Sequence, residues 1–141
     1  MATETVGFEK ELLELGLGEG WKWENGSWWL TPLDAADVRR TAGRMGQLEA
    51  RFVAITAVER EDMEIRLDYQ WDLDGKLLSF VSATSARQIP TIADLCPAAD
   101  WVERETHEYF AVDFTGREST KPLMTRAGDP LGINLHKEDA Q

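Results

Sequence analysis

The sequence is poor in the residues that hold metals and disulfides. Its 141 residues include one cysteine, Cys96, and two histidines, His107 and His136. One cysteine excludes an internal disulfide, a four-cysteine zinc site and an iron–sulfur cluster held by this chain alone. His107 begins a zincin-like run, but Ala111 stands where that motif needs its second histidine. We therefore expect this chain to hold no metal and no cofactor.

Long apolar runs are missing as well. No stretch of about 18 apolar residues is available to cross a bilayer. The first residues, MATETVGFEKELLELG, lack the basic region and apolar run of a signal peptide. The sequence therefore predicts a cytoplasmic protein with no membrane insertion of its own, which reaches a membrane only through another subunit.

Positive charge is scarce. The chain has 15 basic and 26 acidic residues, for a formal charge of −11. Such a surface repels phosphate backbones and anionic lipid head groups, which excludes nucleic-acid binding. The acidity either provides solubility or complements a basic patch on a partner protein. The six tryptophans fit both a core and a protein contact surface.

Catalytic motifs are also absent. The glycines at 16, 18 and 20 follow a predicted helix rather than a strand, and Trp21 stands where a dinucleotide-binding loop needs glycine. No serine lies in a nucleophile elbow. Cys96 precedes Pro97 without a basic cluster that would stabilise a thiolate, so it is interpreted as a small core residue. We expect no catalytic residue.

The hydrophobic pattern predicts one α+β domain over residues 1–141, with residues 117–141 as an extended tail. Helices are expected near Phe8–Leu15, Leu33–Met45 (with Thr31 as cap and Pro32 in the first turn) and Ala98–Phe110. Asn25-Gly26 predicts a hairpin between two tryptophan-rich strands. Strands follow at 51–59, 63–73 and 76–84, the last two joined at Asp74-Gly75, and residues 87–92 are interpreted as a connector.

The run MEIRLDYQWDL at 63–73 alternates apolar and polar residues without a break. This period of two predicts a strand with one dry and one wet face in an antiparallel sheet that is covered on one side. The expected order is α-β-β-α-β-β-β-α. It indicates a two-layer sandwich, a mainly antiparallel sheet with the helices on one face.

The last predicted helix carries a carboxylate in an unexpected place. At 100° per residue, Ala98, Trp101, Val102, Glu105 and Tyr109 form one stripe. Glu105 then falls on the apolar face, where an unpaired charge is costly. Either Glu105 pairs with an arginine of another element or of a partner, or its carboxylate extends past the rings into water. The i,i+4 pairs Glu103–His107 and Arg104–Glu108 would lie on the outer faces.

Residues 101–117, WVERETHEYFAVDFTGR, resemble the W-x-E-R-E-x-x-D-x-F-G-I-x-F-x-G signature of the complex I 30 kDa subunit family, also known as the C subunit of NADH-quinone oxidoreductase. The resemblance extends from about Asp34 to Asp139. Three positions depart from the signature: Glu108 replaces its Asp, Ala111 its Gly, and Arg117-Glu118 the following His-Pro. These departures, with the missing W-x-G-x-P-L-R-K ending, are more similar to the relatives in energy-converting nickel–iron hydrogenases.

The resemblance implies a subunit without catalytic residues, redox centre or metal. It would dock and stabilise the large nickel–iron-hydrogenase-like subunit, next to iron–sulfur subunits, on the inner face of the cytoplasmic membrane. By position, the structural and docking segment would comprise Trp101, Glu103, Arg104, Glu105, Phe110, Phe114 and Gly116.

Two other function classes compete with this interpretation. A free-standing acidic protein-binding module would need a recognisable pocket, and a small hydrolase or metal enzyme would need the missing nucleophile or second ligand. Co-purification with a large subunit distinguishes the docking subunit from the module, and metal analysis tests the enzyme.

Overall fold

The computed structural model describes residues 2–30, 34–117 and 131–132, and its elements follow nearly the predicted order. The helices are α1 (Ala2–Glu14), α2 (Val38–Gln47) and α3 (Ala99–Phe110), with a short 3-10 helix at Ala35–Asp37 before α2. The strands are β1 (Lys22–Glu24), β2 (Ser27–Leu30), β3 (Arg51–Glu59), β4 (Ile65–Leu73), β5 (Lys76–Thr84), β6 (Gln88–Pro90) and β7 (Asp113–Thr115).

The main sheet has five strands in the order β1-β2-β5-β4-β3. Every pair in it is antiparallel except β2 with β5, which is parallel. Asn25-Gly26 and Asp74-Gly75 form its tight turns, with φ values of 51° and 82° at the first and 51° and 85° at the second. Positive φ at both central residues favours Asn, Asp and Gly. The α+β class and the mainly antiparallel sheet are confirmed.

The core lies between the helices and the dry face of the sheet. The dry face of β4 presents Ile65, Leu67, Tyr69, Trp71 and Leu73, all buried. Tyr69 stacks on Phe80 of β5 with ring centroids 4.9 Å apart. The helices add Phe8 and Leu12 from α1, Val38, Ala42 and Met45 from α2, and Ala99 from α3 to the same core. One hydrophobic core therefore serves the whole described domain.

The opposite face of the sheet is less exposed than the alternation predicts. Ser79 is fully buried there, and Asp68 and Val81 are nearly so. Trp29 lies opposite Ser79 in the register of β2 and β5. The Arg66 guanidinium lies 5.9 Å from the Trp29 ring and pairs with Asp68 at 2.8 Å. Side chains of the sheet itself therefore shield part of the face that was expected to be wet.

Two local expectations are wrong. The connector at 87–92 contains β6, which pairs in parallel with β7 in a separate two-stranded sheet. Strands of three residues are too short to show a periodic pattern. Met63 lies outside β4 because its φ of 67° is incompatible with an extended strand.

Some expectations fall on residues outside the described ranges. These are the cap and first turn at Thr31 and Pro32, His136, and the tail at 118–130 and 133–141. Within the described ranges, no helix combines the length and apolar character needed to span a bilayer.

Candidate protein-docking site on helix α3

Helix α3 is built around a carboxylate that is completely removed from solvent. Glu103 has 0% of its surface exposed. Its Oε1 accepts hydrogen bonds from the Thr91 hydroxyl at 2.5 Å and from Arg117 Nη1 at 2.9 Å, and its Oε2 accepts one from the Ile92 N–H at 2.8 Å. Donors from the segment after β6 and from the segment after β7 therefore meet on one helical side chain.

Burial controls the electrostatics of this carboxylate. Loss of solvent raises the pKa of Glu103 above its ordinary value, while the hydrogen bonds from Ile92, Thr91 and Arg117 and the charge of Arg117 act in the opposite direction. The nearby Tyr69 hydroxyl is also buried, and its pKa is raised by desolvation and then by the charge of Glu103. The site around Glu103 is thus a dry, electrostatically coupled part of the core.

Further polar contacts fix the segments around α3. Arg117 Nη2 donates to Asp100 Oδ1 at 2.5 Å, in the first turn of α3. Arg39 of α2 donates to the Thr91 carbonyl at 2.7 Å and pairs with both Asp94 oxygens at 2.6 and 2.9 Å. Helix α2, the loop after β6 and the start of α3 are therefore joined by charge-assisted hydrogen bonds, which are stronger than neutral ones.

The C-terminal end of α3 is held by cationic and backbone donors. Arg87 Nη1 donates to the Phe110 carbonyl at 2.8 Å, where the helix leaves carbonyls without helical partners. His107 Nδ1 lies 3.0 Å from the Val112 carbonyl. The Gly132 N–H donates to the Glu108 carbonyl at 2.7 Å, so residues 131–132 lie beside this helix.

The outward face of α3 carries a large exposed aromatic side chain. Trp101 is 66% exposed. The Arg104 guanidinium lies over its ring at 5.9 Å and pairs with Asp100 at 3.9 Å. Glu105 is exposed, and within the described ranges it forms no ion pair. We call Trp101, Arg104 and Glu105 the α3 outer face.

The stripe predicted for this helix is therefore wrong. Trp101 and Glu105 face solvent, whereas Glu103, Thr106 and Glu108 are buried. A hydrophobicity pattern treats every glutamate as a surface residue. Here the Glu103 side chain points inward, because residues distant in sequence donate hydrogen bonds to its carboxylate. The expected Glu103–His107 pair does not form, since Glu103 binds Thr91, Ile92 and Arg117 instead.

The residues expected to dock a partner fall into three groups. Glu103 and Phe114 are buried, so in this domain they act as internal supports. Phe110 is partly buried against the core, and Gly116 is exposed with a φ of 93° that favours glycine. Trp101 and Glu105 remain exposed, and Arg104 between them keeps 19% of its side chain accessible. Sequence reasoning missed the contributions of Arg39, Thr91 and Arg117, which no local motif indicates.

The described residues offer no assembled metal site, and the one cysteine among them is not activated. Among them, no group of three or more His, Cys, Asp and Glu side chains is placed to hold a metal ion. Cys96 is partly buried against the core, and burial raises the pKa of its thiol, which opposes thiolate formation. This placement agrees with the interpretation of Cys96 as a small residue of the core, at its margin.

Glu103→Ala is expected to destabilise the domain by about 3 kcal/mol or more, because it leaves a buried arginine and a backbone N–H without their acceptor. Glu105→Ala, on the outward side of the same helix, is the matched control and should change stability by no more than about 0.5 kcal/mol. Urea unfolding followed by tryptophan fluorescence measures both. Equal effects of the two substitutions would contradict the assignment of Glu103 as the internal support.

Ala111 ends α3 in the left-handed conformation, with φ 55° and ψ 38°. An L-residue with a Cβ is disfavoured there by roughly 1–2 kcal/mol, whereas glycine is tolerated. Ala111→Gly should therefore raise the free energy of unfolding by about 0.5–1 kcal/mol, since the greater entropy of unfolded glycine offsets part of the gain. Thermal unfolding tests this, and a lower Tm for the variant would show that the local strain is absent.

Comparisons with known proteins agree with this geometry. The family model of the respiratory-chain NADH dehydrogenase 30 Kd subunit matches residues 31–137. The NADH-quinone oxidoreductase C subunit of Rhodopseudomonas palustris is 30% identical over 86 residues, which are 55% of this chain and 43% of that protein. The C/D subunit of Cereibacter sphaeroides is 36% identical over 104 residues, 72% of this chain and 16% of that protein. The chain thus spans less than half the length of these curated relatives.

A solved structure shows the same fold. A trypsin-resistant fragment (1–134) of Nqo5 superposes with a TM-score of 0.64 at 19% identity, covering 79% of this chain and 98% of the fragment. At this identity the likeness establishes the fold alone.

Proposed function

This chain belongs to the respiratory-chain NADH dehydrogenase 30 kDa subunit family, and from that membership we propose that it is a non-catalytic docking subunit of a membrane-associated redox complex. The observation that carries the proposal is the arrangement of α3. Its buried Glu103 fixes the helix in the domain, and its outer face presents Trp101 at 66% exposure.

The α3 outer face has the chemistry of a protein contact. Tryptophan and arginine are among the side chains that most often dominate binding energy at interfaces. Arg104 lies over the Trp101 ring, so the two present a preorganised aromatic and cationic surface. Glu105 adds an exposed carboxylate that can pair with an arginine of a partner. Phe110 and Phe114 pack into or against the core, and Gly116 lies in the turn after β7.

The partner in this proposal is the large nickel–iron-hydrogenase-like subunit, with iron–sulfur subunits in the same complex. The curated relatives are named as subunits of NADH-quinone oxidoreductases. The replacements at Ala111 and at Arg117-Glu118 favour the energy-converting hydrogenase branch for this chain. In either branch the chain would lie at the inner face of the cytoplasmic membrane, held there by its partner subunits.

Trp101→Ala should reduce affinity for the large subunit by about 30-fold, corresponding to a hot-spot loss of about 2 kcal/mol. Trp23→Ala is the matched control: Trp23 is 44% exposed on β1 and lies outside α3. Each variant is co-expressed with its complex, purified through a tag on this chain, and the recovered large subunit is quantified.

The control should recover the large subunit as wild type does, and circular dichroism should show both variants folded. Recovery of wild-type chain with no large subunit would favour the alternative, a free-standing acidic protein-binding module. Undiminished recovery with Trp101→Ala would show that the α3 outer face is not the contact.

A further inference from the structure

Helix α2 concentrates positive charge in a strongly acidic chain. It contains Arg39, Arg40 and Arg44 and no acidic residue between Val38 and Gln47, whereas the whole chain has a net charge of −11. This run of three arginines contrasts with the negative net charge of the chain. Such a local reversal marks where an anionic group could be accepted without the repulsion that the rest of the chain would impose.

The arginines line a groove beside the helix. One end of this groove is basic and is bounded by Gly16, Arg39, Arg40, Gly43, Arg44 and Leu95. The neighbouring depression shares Gly16 and Arg40 with it and is also lined by Leu13, Leu17 and Leu30 and by the acidic Glu19. The two depressions adjoin at Gly16 and Arg40, and together we call them the α2 groove. Guanidinium groups line one end; at the other end Leu13 is 51% exposed, whereas Leu17 and Leu30 are buried.

Gly43, a residue of α2 that lines the basic end of the groove, has no side chain. Gly43 lies in the interior of α2, where glycine is unfavourable relative to alanine. A Cβ at Gly43 would meet only Leu95 Cδ1, at 4.0 Å, among the described residues. Packing inside the domain therefore does not require glycine here. Its absence of a side chain leaves room for another chain to approach the helix closely.

The arginines differ in how strongly they are engaged. Arg44 donates to the Leu15 carbonyl at the end of α1 and to Gln47 at 2.9 Å, and Arg39 is bonded to Thr91 and Asp94. The Arg40 side chain is 77% exposed, and its ion pair with Asp37 is 3.1 Å long. Exposed pairs of this kind contribute little to stability. Arg40 can therefore exchange Asp37 for a carboxylate of another chain at small cost.

We propose that the α2 groove receives a segment of a neighbouring subunit in which one or more Asp or Glu residues adjoin apolar residues. The acidic part would lie against Arg39, Arg40 and Arg44, and the apolar part against the exposed Leu13. This rests on the proposed function and adds a second contact, separate from the α3 outer face. A protein segment suits the site better than a bilayer, because the groove combines both chemistries in a cleft while the rest of the chain repels anionic lipid.

Charge reversal at Arg40 tests the acidic half of the proposal. Arg40→Glu should weaken association with the purified partner subunits about tenfold at roughly 150 mM salt, and the loss should shrink in about 1 M salt, where charges are screened. Arg40→Lys should retain most of the affinity. Arg60→Glu is the matched control. The Arg60 side chain is 56% exposed, and it forms one ion pair among the described residues, with Glu64 at 3.8 Å. Equal losses for Arg40→Glu and Arg60→Glu would overturn the proposal.

A photo-crosslinker identifies the occupant directly. Replacement of Gln47, which also lines the basic end, by p-benzoyl-phenylalanine in the assembled complex should yield an adduct with a partner peptide that contains Asp or Glu beside apolar residues. An adduct with phospholipid, with this same chain or with a basic peptide would overturn the proposal. The proposal would also be overturned if the probe at position 47 gave no adduct while the same probe at position 101 crosslinked to a partner. If neither position crosslinks and no subunit is retained, the proposed function fails as well.

Discussion

The fold around α3 depends on one buried ion, the Glu103 carboxylate. A carboxylate without solvent is tolerated only when donors surround it, and here Thr91, the Ile92 N–H and Arg117 supply them. Those donors come from one end of the small parallel sheet formed by β6 and β7, the end at which both strands finish. The carboxylate thereby joins that sheet to the helix. Residues two positions away on a helix point about 200° apart, so burying Glu103 turns Trp101 and Glu105 toward solvent.

Much of the fold could be predicted because its signals are local. Strict alternation at β4 and the Asn-Gly and Asp-Gly pairs indicate the sheet and its turns without reference to distant residues. The orientation of α3 could not be predicted this way. Apolar spacing placed Trp101 inside and Glu103 outside, because the donors that make a buried Glu103 tolerable lie 11 to 14 residues away in sequence.

Two surfaces of different chemistry emerge from this core. The α3 outer face is aromatic, with Trp101 under the Arg104 guanidinium, and the α2 groove is basic at one end and apolar at the other. Arg39 connects them internally through Thr91, whose hydroxyl donates to Glu103. Under the proposed function, these two surfaces would contact different neighbours.

The coupling between Glu103 and Arg117 is the most direct measure of whether the buried carboxylate organises this part of the fold. A double-mutant cycle with Glu103→Ala, Arg117→Ala and the double variant, followed by urea unfolding, isolates the energy of that pair from the effects of each truncation. A coupling of about 2 kcal/mol is expected, near the upper part of the range for residues that share a buried network. Additive effects within about 0.3 kcal/mol would mean that the carboxylate does not hold this segment to α3.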